Sequence, residues 1–292
     1  MGLYFEKSLY KGEVIREYLH KRLTSYATDI DNFLSNEPNS KVYTNPSYIH
    51  IKFSTEKVEG DKLETKATVK VRLKLPKLKN KYRIEFGNKK EINDKSNDIR
   101  VDELDTNEDY HFGISYIDNL KDYLSISAGA GVRVKLDEFD PYIRLKASRD
   151  FAYYGNWKGE FIQEFYYSHK NNLEATSSYE VFKVFSKKLK FSNYNEYYWT
   201  KEEENDNNFY NSIRLYQNIS KKNYLSYVVS ASTNDENGNL KVENYQTYVS
   251  YRHYIKEWLY YEVIPRIIWE RDNDFDEKFA LRFNLGMFVG KK

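Results

Sequence analysis

The sequence predicts an all-β protein: an antiparallel transmembrane β-barrel of about 12–14 strands with a short N-terminal amphipathic helix. Three observations carry this. Long segments alternate apolar and polar residues with a period of two, the signature of a strand with one greasy face. Aromatic residues make up 17% of the 292 residues, with 29 Tyr, 17 Phe and 4 Trp; Tyr and Trp suit a membrane–water boundary because one end of each is apolar and the other wet. The strands run to about 10–14 residues, against a mode of about 5–6 in soluble folds, and no apolar run reaches the roughly 18 residues that a membrane helix needs. A mean hydropathy of −0.83 does not oppose a membrane barrel, because only alternate residues face lipid while the loops and lumen stay polar.

Residues 1–46 read as the helix and its linker, and 47–292 as the barrel. Within 11–34, Val14, Ile15, Tyr18, Leu19, Leu23, Tyr26, Ile30, Phe33 and Leu34 recur at helical spacing between charged residues, so this face is expected to pack against the barrel end. Plugging the lumen and binding a periplasmic protein partner are the other uses open to it. Pro38 and Pro46 end the helix and lead onward. The start, Met1-Gly2-Leu3-Tyr4-Phe5-Glu6-Lys7, lacks the apolar core of a signal peptide, so an exported form is expected to have its leader absent or replaced.

Strands follow to the end. Ile49, Ile51 and Phe53 alternate with Tyr48, His50 and Lys52. Ala67, Val69, Val71, Leu73 and Leu75 alternate with Lys66, Thr68, Lys70, Arg72 and Lys74, and Pro76 stops the run. Tyr82, Ile84 and Phe86 alternate with Lys81, Arg83 and Glu85, and the polar stretch 87–108 reads as the longest solvated loop. Further strands are expected over 110–117, 124–136, 142–149, 157–167, 173–185, 189–200, 206–219, 225–233, 240–254 and 258–269. In the last, 278–292, Phe279, Leu281, Phe283, Leu285, Met287 and Val289 share one face. The middle strands are less clean: Gln163 shares a face with Trp157, Phe161 and Phe165, and Ser177 and Lys183 share one with Ala175, Tyr179 and Val181. Tyr154, Trp157, Tyr197, Tyr198, Trp199, Trp258 and Trp269 fall near strand ends, as an aromatic girdle requires. The rival reading is a soluble sandwich with a solvated basic face.

The segments Tyr48-Ile49-His50-Ile51-Lys52-Phe53, Val69 to Lys77 and Tyr82-Arg83-Ile84-Glu85-Phe86 resemble a family of functionally uncharacterised proteobacterial outer-membrane barrel proteins. Asn211 to Leu215, Tyr248 to Arg252, Trp258 to Pro265 and Phe283 to Met287 continue the likeness. The resemblance implies an outer-membrane location and a porin-like barrel fold, with outer-membrane lipid around it and no established activity. The chain departs from many such barrels by ending in Gly290-Lys291-Lys292 rather than in an aromatic residue.

If the greasy face meets lipid, the other face lines a lumen. That face carries Lys70, Arg72, Arg83, Arg133, Lys135, Arg144, Lys146, Arg214, Arg252, Arg266 and Arg282, against Glu85, Glu160, Glu164, Glu262 and Glu270. The pore-lining candidates are Lys70, Arg72, Arg83, Arg133, Arg144, Arg252, Arg266 and Arg282. An open lumen of this kind favours small anionic solutes; a lumen whose charges pair across neighbouring strands is filled instead. The function expected is a passive channel, or a binding or structural role in the envelope.

No catalytic residues, metal site or cofactor are expected. A lipid-modifying hydrolase on the same barrel is the alternative, and it needs a Ser within reach of a His. The tempting pair Ser168-His169 is adjacent on a strand, so its side chains point to opposite faces. The acidic runs 202–206 and 270–277 offer oxygen ligands for weak Ca²⁺ binding but read as solvated loops. There are no cysteines, which removes disulfides and thiolate metal sites. Balanced charge, Lys+Arg 46 against Asp+Glu 44, gives nucleic acid no basic surface.

Overall fold

The alternation closes on itself. The computed structural model describes residues 2–35, 47–75, 81–88, 110–135, 138–170, 172–201, 208–236 and 239–290. After helix α1 (Gly2–Ser35) come β1 (Tyr48–Val58), β2 (Glu64–Lys74), β3 (Tyr82–Asn88), β4 (Tyr110–Lys121), β5 (Leu124–Lys135), β6 (Glu138–Ala152) and β7 (Trp157–Ser168). The wall continues with β8 (Asn172–Ser186), β9 (Leu189–Thr200), β10 (Asn208–Asn218), β11 (Asn223–Glu236), β12 (Asn239–Lys256), β13 (Leu259–Glu270) and β14 (Glu277–Gly290). Every neighbour in sequence is a neighbour in the sheet, and β1 pairs with β14 to close a fourteen-strand antiparallel barrel. Closure leaves no unpaired edge, the condition a sheet must meet in lipid. Of the loop expected over 87–108, Gly87 and Asn88 belong to β3; its remainder 89–108, the linker 36–46, the acidic run 202–206 and Lys291-Lys292 lie outside the described residues.

The register fixes which side chains face out. On β14 these are Phe279, Leu281, Phe283 and Leu285, each 38–57% exposed, while Ala280, Arg282 and Asn284 beside them are buried. A contiguous apolar surface of this extent has no place in water. An eleven-residue strand such as β1, rising about 3.4 Å per residue and tilted by about 40°, spans roughly 26 Å, the height of an outer-membrane apolar band. Trp157, Tyr197, Trp199 and Trp269 face outward near strand ends, as a girdle needs. Two expected members do otherwise: Tyr198 turns inward, and Trp258 sits buried in the β12–β13 turn. Just before β3, Lys81 donates to Asp118 Oδ1 at 2.8 Å and Tyr116 Oη at 3.1 Å. These hydrogen bonds push its ammonium up to about 12.

The outer face is broken by polar side chains on β7–β10. Asn211 Nδ2 donates to Asn195 Oδ1 at 2.7 Å, Asn195 Nδ2 to Asn193 Oδ1 at 2.8 Å, and Ser177 Oγ to Gln163 Oε1 at 2.6 Å. Each group finds a partner within the wall, which is how amide side chains are tolerated away from water.

Helix α1 packs on the wall: the Arg16 guanidinium is 5.7 Å from the Trp258 ring centre at the β12–β13 turn, and α1 runs past β14. Farther along, Asp29 and Ile30 border an apolar hollow of about 680 Å³ with the outward side chains of Ile84, Phe112, Ile114, Ala130 and Val132. The buried stripe is Leu23, Ala27 and Asp31. Val14, Ile15, Tyr18 and Tyr26, expected to pack, are all more than half exposed. The helical period is as expected, but the helix presents a different face to the wall.

Candidate functional site: the charged lumen

Fourteen strands, about 4.8 Å apart and tilted by about 40°, give a backbone radius near ~14 Å. Small side chains cannot fill such a cylinder; long ones can. This chain supplies Arg, Lys, Glu and Tyr on its inward face, and where it places glycine a neighbouring ring lies across the gap. Cβ atoms built at Gly113 and Gly131 would run into the Tyr142 hydroxyl, and one at Gly286 into the Tyr260 ring.

All eight candidates, Lys70, Arg72, Arg83, Arg133, Arg144, Arg252, Arg266 and Arg282, face inward. The arginines do not form a free basic ladder. Glu85 on β3 takes Arg72 Nε at 2.6 Å, Arg144 Nη2 at 3.3 Å and Arg83 Nη1 at 3.6 Å. Glu56 on β1 accepts from Arg266 Nη2 and, at 2.7 Å, from Arg282 Nη2. Glu262 accepts from Arg252 Nη2 at 3.0 Å, Asn284 Nδ2 at 2.8 Å and Ser250 Oγ at 2.5 Å. Arg133 pairs with Asp140, whose other oxygen takes the Lys170 amide at 3.1 Å. All four of these anchors thus hold two or more cationic or polar donors each, which fixes the side chains by bridging. Glu56 and Asp140 were missed in the sequence. Continuing the β1 alternation three residues past Phe53 finds Glu56; Asp140 lies near the start of β6, two residues before the strand was expected to begin.

Aromatic groups lock the same wall. His50 Nε2 and Tyr260 Oη are 2.9 Å apart, His50 stacks on Phe288 at 4.3 Å, and the Arg252 guanidinium lies 4.6 Å from the Tyr260 ring centre. His111 meets Tyr166 Oη at 3.3 Å beneath the stacked Tyr142 and Tyr166 rings.

The two sides of the lumen differ. On β10–β14, β1 and β2, inward side chains such as Lys70, His50, Glu56, Tyr248, Arg266 and Tyr260 are 3% exposed or less. On β6–β9, Lys146, Asp150, Lys158, Glu160, Glu180, Phe182, Lys190 and Glu196, most of them toward the β6–β7 and β8–β9 turns, face inward and remain half-buried or exposed, whereas Glu164, Tyr166, Ser168, Glu174 and Ser178 on the same strands are buried. This strip is acidic as much as basic. Asp150, Glu160 and Glu180 stand side by side in register across β6, β7 and β8. Directly opposed like charges are destabilising in a dry sheet; here they border accessible space, and Lys190 Nζ reaches Glu180 at 3.4 Å. Arg72, Arg252, Arg266 and Arg282 lie on the packed side, Arg83, Arg133 and Arg144 on β3, β5 and β6, and the accessible strip carries both signs, as the glutamates set against the basic residues in the sequence suggest.

Ser168 ends β7 facing inward, fully buried beside Arg133, while His169 is exposed in the turn. The structure does not bring the two together. Among the described residues no group of three or more His, Asp or Glu is placed to hold a metal. In the run 270–277, Glu270 pairs with Lys278 at 2.8 Å.

No family model and no curated protein matches this chain. Among solved structures, OmpT, an outer membrane protein of Vibrio cholerae, aligns at TM-score 0.51 and 9% identity over 85% of this chain and 99% of that one. A loop L8 deletion mutant of the same protein aligns at 0.51 and 11%, over 84% and 99%. The KdgM porin in complex with disordered oligogalacturonate aligns at 0.39 and 7%, over 82% and 98%. At such identities the likeness with OmpT establishes the fold, that of an outer-membrane β-barrel.

Proposed function

We propose that this chain resides in the outer membrane and acts as a narrow passive channel for small charged solutes. The observation that carries the reading is the half-accessible strip of charged side chains on the inward face of β6–β9, set against a packed wall opposite. Catalysis has no comparable support, since Ser168 and His169 face apart. With Glu160 and Glu180 beside Lys146 and Lys190, weak selectivity between anions and cations is expected. The test is purified, refolded protein in planar bilayers, with heat modifiability on a denaturing gel as the control for folding. Small, discrete conductance steps support the channel. A folded barrel that never conducts, with or without residues 1–46, overturns it.

A further inference from the structure

Lysine is unevenly placed on the rims of this barrel. The β8–β9 turn carries Lys187 and Lys188, the β10–β11 turn carries Lys221 and Lys222, and neither turn holds an acid. All four side chains are exposed, and among the described residues none of them forms an ion pair. The turns at the opposite end carry acids instead: Glu59 and Asp61 between β1 and β2, and Asp272, Asp274 and Asp276 between β13 and β14. Four neighbouring cations without counter-charges repel one another and attract an anionic surface.

The two turns form one platform. The Asn218 amide donates to the Lys188 carbonyl at 2.8 Å, and Asn218 Nδ2 to the Lys187 carbonyl at 3.2 Å. Ser220 Oγ accepts from the Lys222 and Asn223 amides, each at 3.2 Å, and Tyr224 Oη donates to the Lys221 carbonyl at 3.1 Å. The lysine backbones are thus held in place before any partner arrives, which lowers the ordering cost of binding.

The height of the platform on the wall identifies the partner. Phe185 and Ile219, each two residues before a lysine pair, are 55% and 46% exposed. Lys183 shares the outward face with Trp157 and Phe191, its register partners, and its ammonium lies 5.5 Å from the ring centres of both Trp157 and Phe185. A cation on a lipid-facing wall belongs at headgroup depth, where its stem lies along apolar surface and its charge meets polar groups. The lysine turns begin where this outer face ends.

We propose that the Lys187–Lys188 and Lys221–Lys222 turns dock anionic phospholipid, their ammonium groups receiving headgroup phosphates at the membrane boundary. Each lysine close to an anionic bilayer surface adds to the attraction, and four on adjoining turns make the barrel select phosphatidylglycerol over a zwitterionic lipid. The proposal rests on the outer-membrane location and not on conduction.

The experiment follows the midpoint temperature of heat-induced unfolding of the full chain, folded in a zwitterionic detergent, as short-chain phosphatidylglycerol or phosphatidylcholine is added. Phosphatidylglycerol is expected to raise the midpoint saturably, as a ligand of the folded state does, to raise it more than phosphatidylcholine, and to lose this advantage in high salt. Replacing Lys187, Lys188, Lys221 and Lys222 together by Gln should abolish the preference and leave the midpoint in detergent alone unchanged. A charge-matched control replaces Lys57, Lys62, Lys170 and Lys201, away from these turns, by Gln and should keep the preference. If the fourfold turn variant does not fold, the two double variants, one per turn, must each weaken it. Equal response to the two lipids in the wild type, a preference that survives in the turn variants, or equal loss in the control overturns the site. So does inorganic phosphate that matches the effect of the lipid at equal phosphate concentration. Conductance is scored apart: a lipid preference in a barrel that never conducts removes the channel and keeps the platform, and conduction without the preference does the reverse.

Discussion

The two sides of the lumen are built from the same residue types and end in different states. On the packed side, Glu56 gathers Arg266 and Arg282 and Glu262 takes Arg252, and the charges are neutralised where they stand. On β6–β9, acids face acids across the sheet and the side chains keep contact with accessible space. Charge content alone does not say whether a lumen is open. What decides it is whether the opposite charges are in reach of one another and long enough to meet.

Four substitutions probe that difference. Glu56→Gln strikes the packed side hardest. It leaves Arg266 and Arg282 as buried cations that have lost their shared carboxylate, a change expected to cost about 3–5 kcal/mol. Urea titration of the folded band should show it; an unchanged midpoint would mean that this side is wet and no different from the other. Gly286→Ala drives a methyl group into the Tyr260 ring and should cost about 1–3 kcal/mol by overpacking, read in the same titration. Asn195→Leu lies on the outer face and removes the amide bridging Asn211 and Asn193. It should move stability in lipid vesicles by no more than about 1 kcal/mol, the size of hydrogen bonds between side chains in membranes. Glu180→Gln belongs to the accessible strip. Its pair with Lys190 is partly exposed and is worth less than about 1 kcal/mol, yet the reversal potential should shift toward anions as Lys190 is freed. A large loss of stability there would erase the contrast between the sides.

Much of this was legible in the chain. The alternation in 278–292 gave the outward row Phe279 to Val289 and the inward row Ala280 to Gly290, and the eight basic candidates all fall on the inward face. Strand limits were weaker. β6 begins at Glu138 rather than at Tyr142, because Pro141 looks like a break but occupies an outward position at the strand's start. The amides on β7–β10 look like noise in the pattern until Asn193, Asn195 and Asn211 are seen to satisfy one another. The face that α1 turns to the wall could not be read at all. Its nine apolar residues cover a little over half of the circumference, too wide an arc to choose a side, and the buried Leu23, Ala27 and Asp31 lie along its edge; Trp258, expected in the girdle, instead receives Arg16.

The sequence by itself determined the strands, their two faces and the long side chains that point inward, because the period of two is a local property of an extended backbone. Only the tertiary structure decided which carboxylate meets which arginine. Glu56 is 210 and 226 residues from the guanidinium groups it holds, and they meet because β1 closes on β14, a register set by the whole circumference. The same register leaves Arg214 with a tyrosine for its partner: among the described residues it pairs across the sheet with Ser192 and Val228, and its Nη1 donates to Tyr216 Oη.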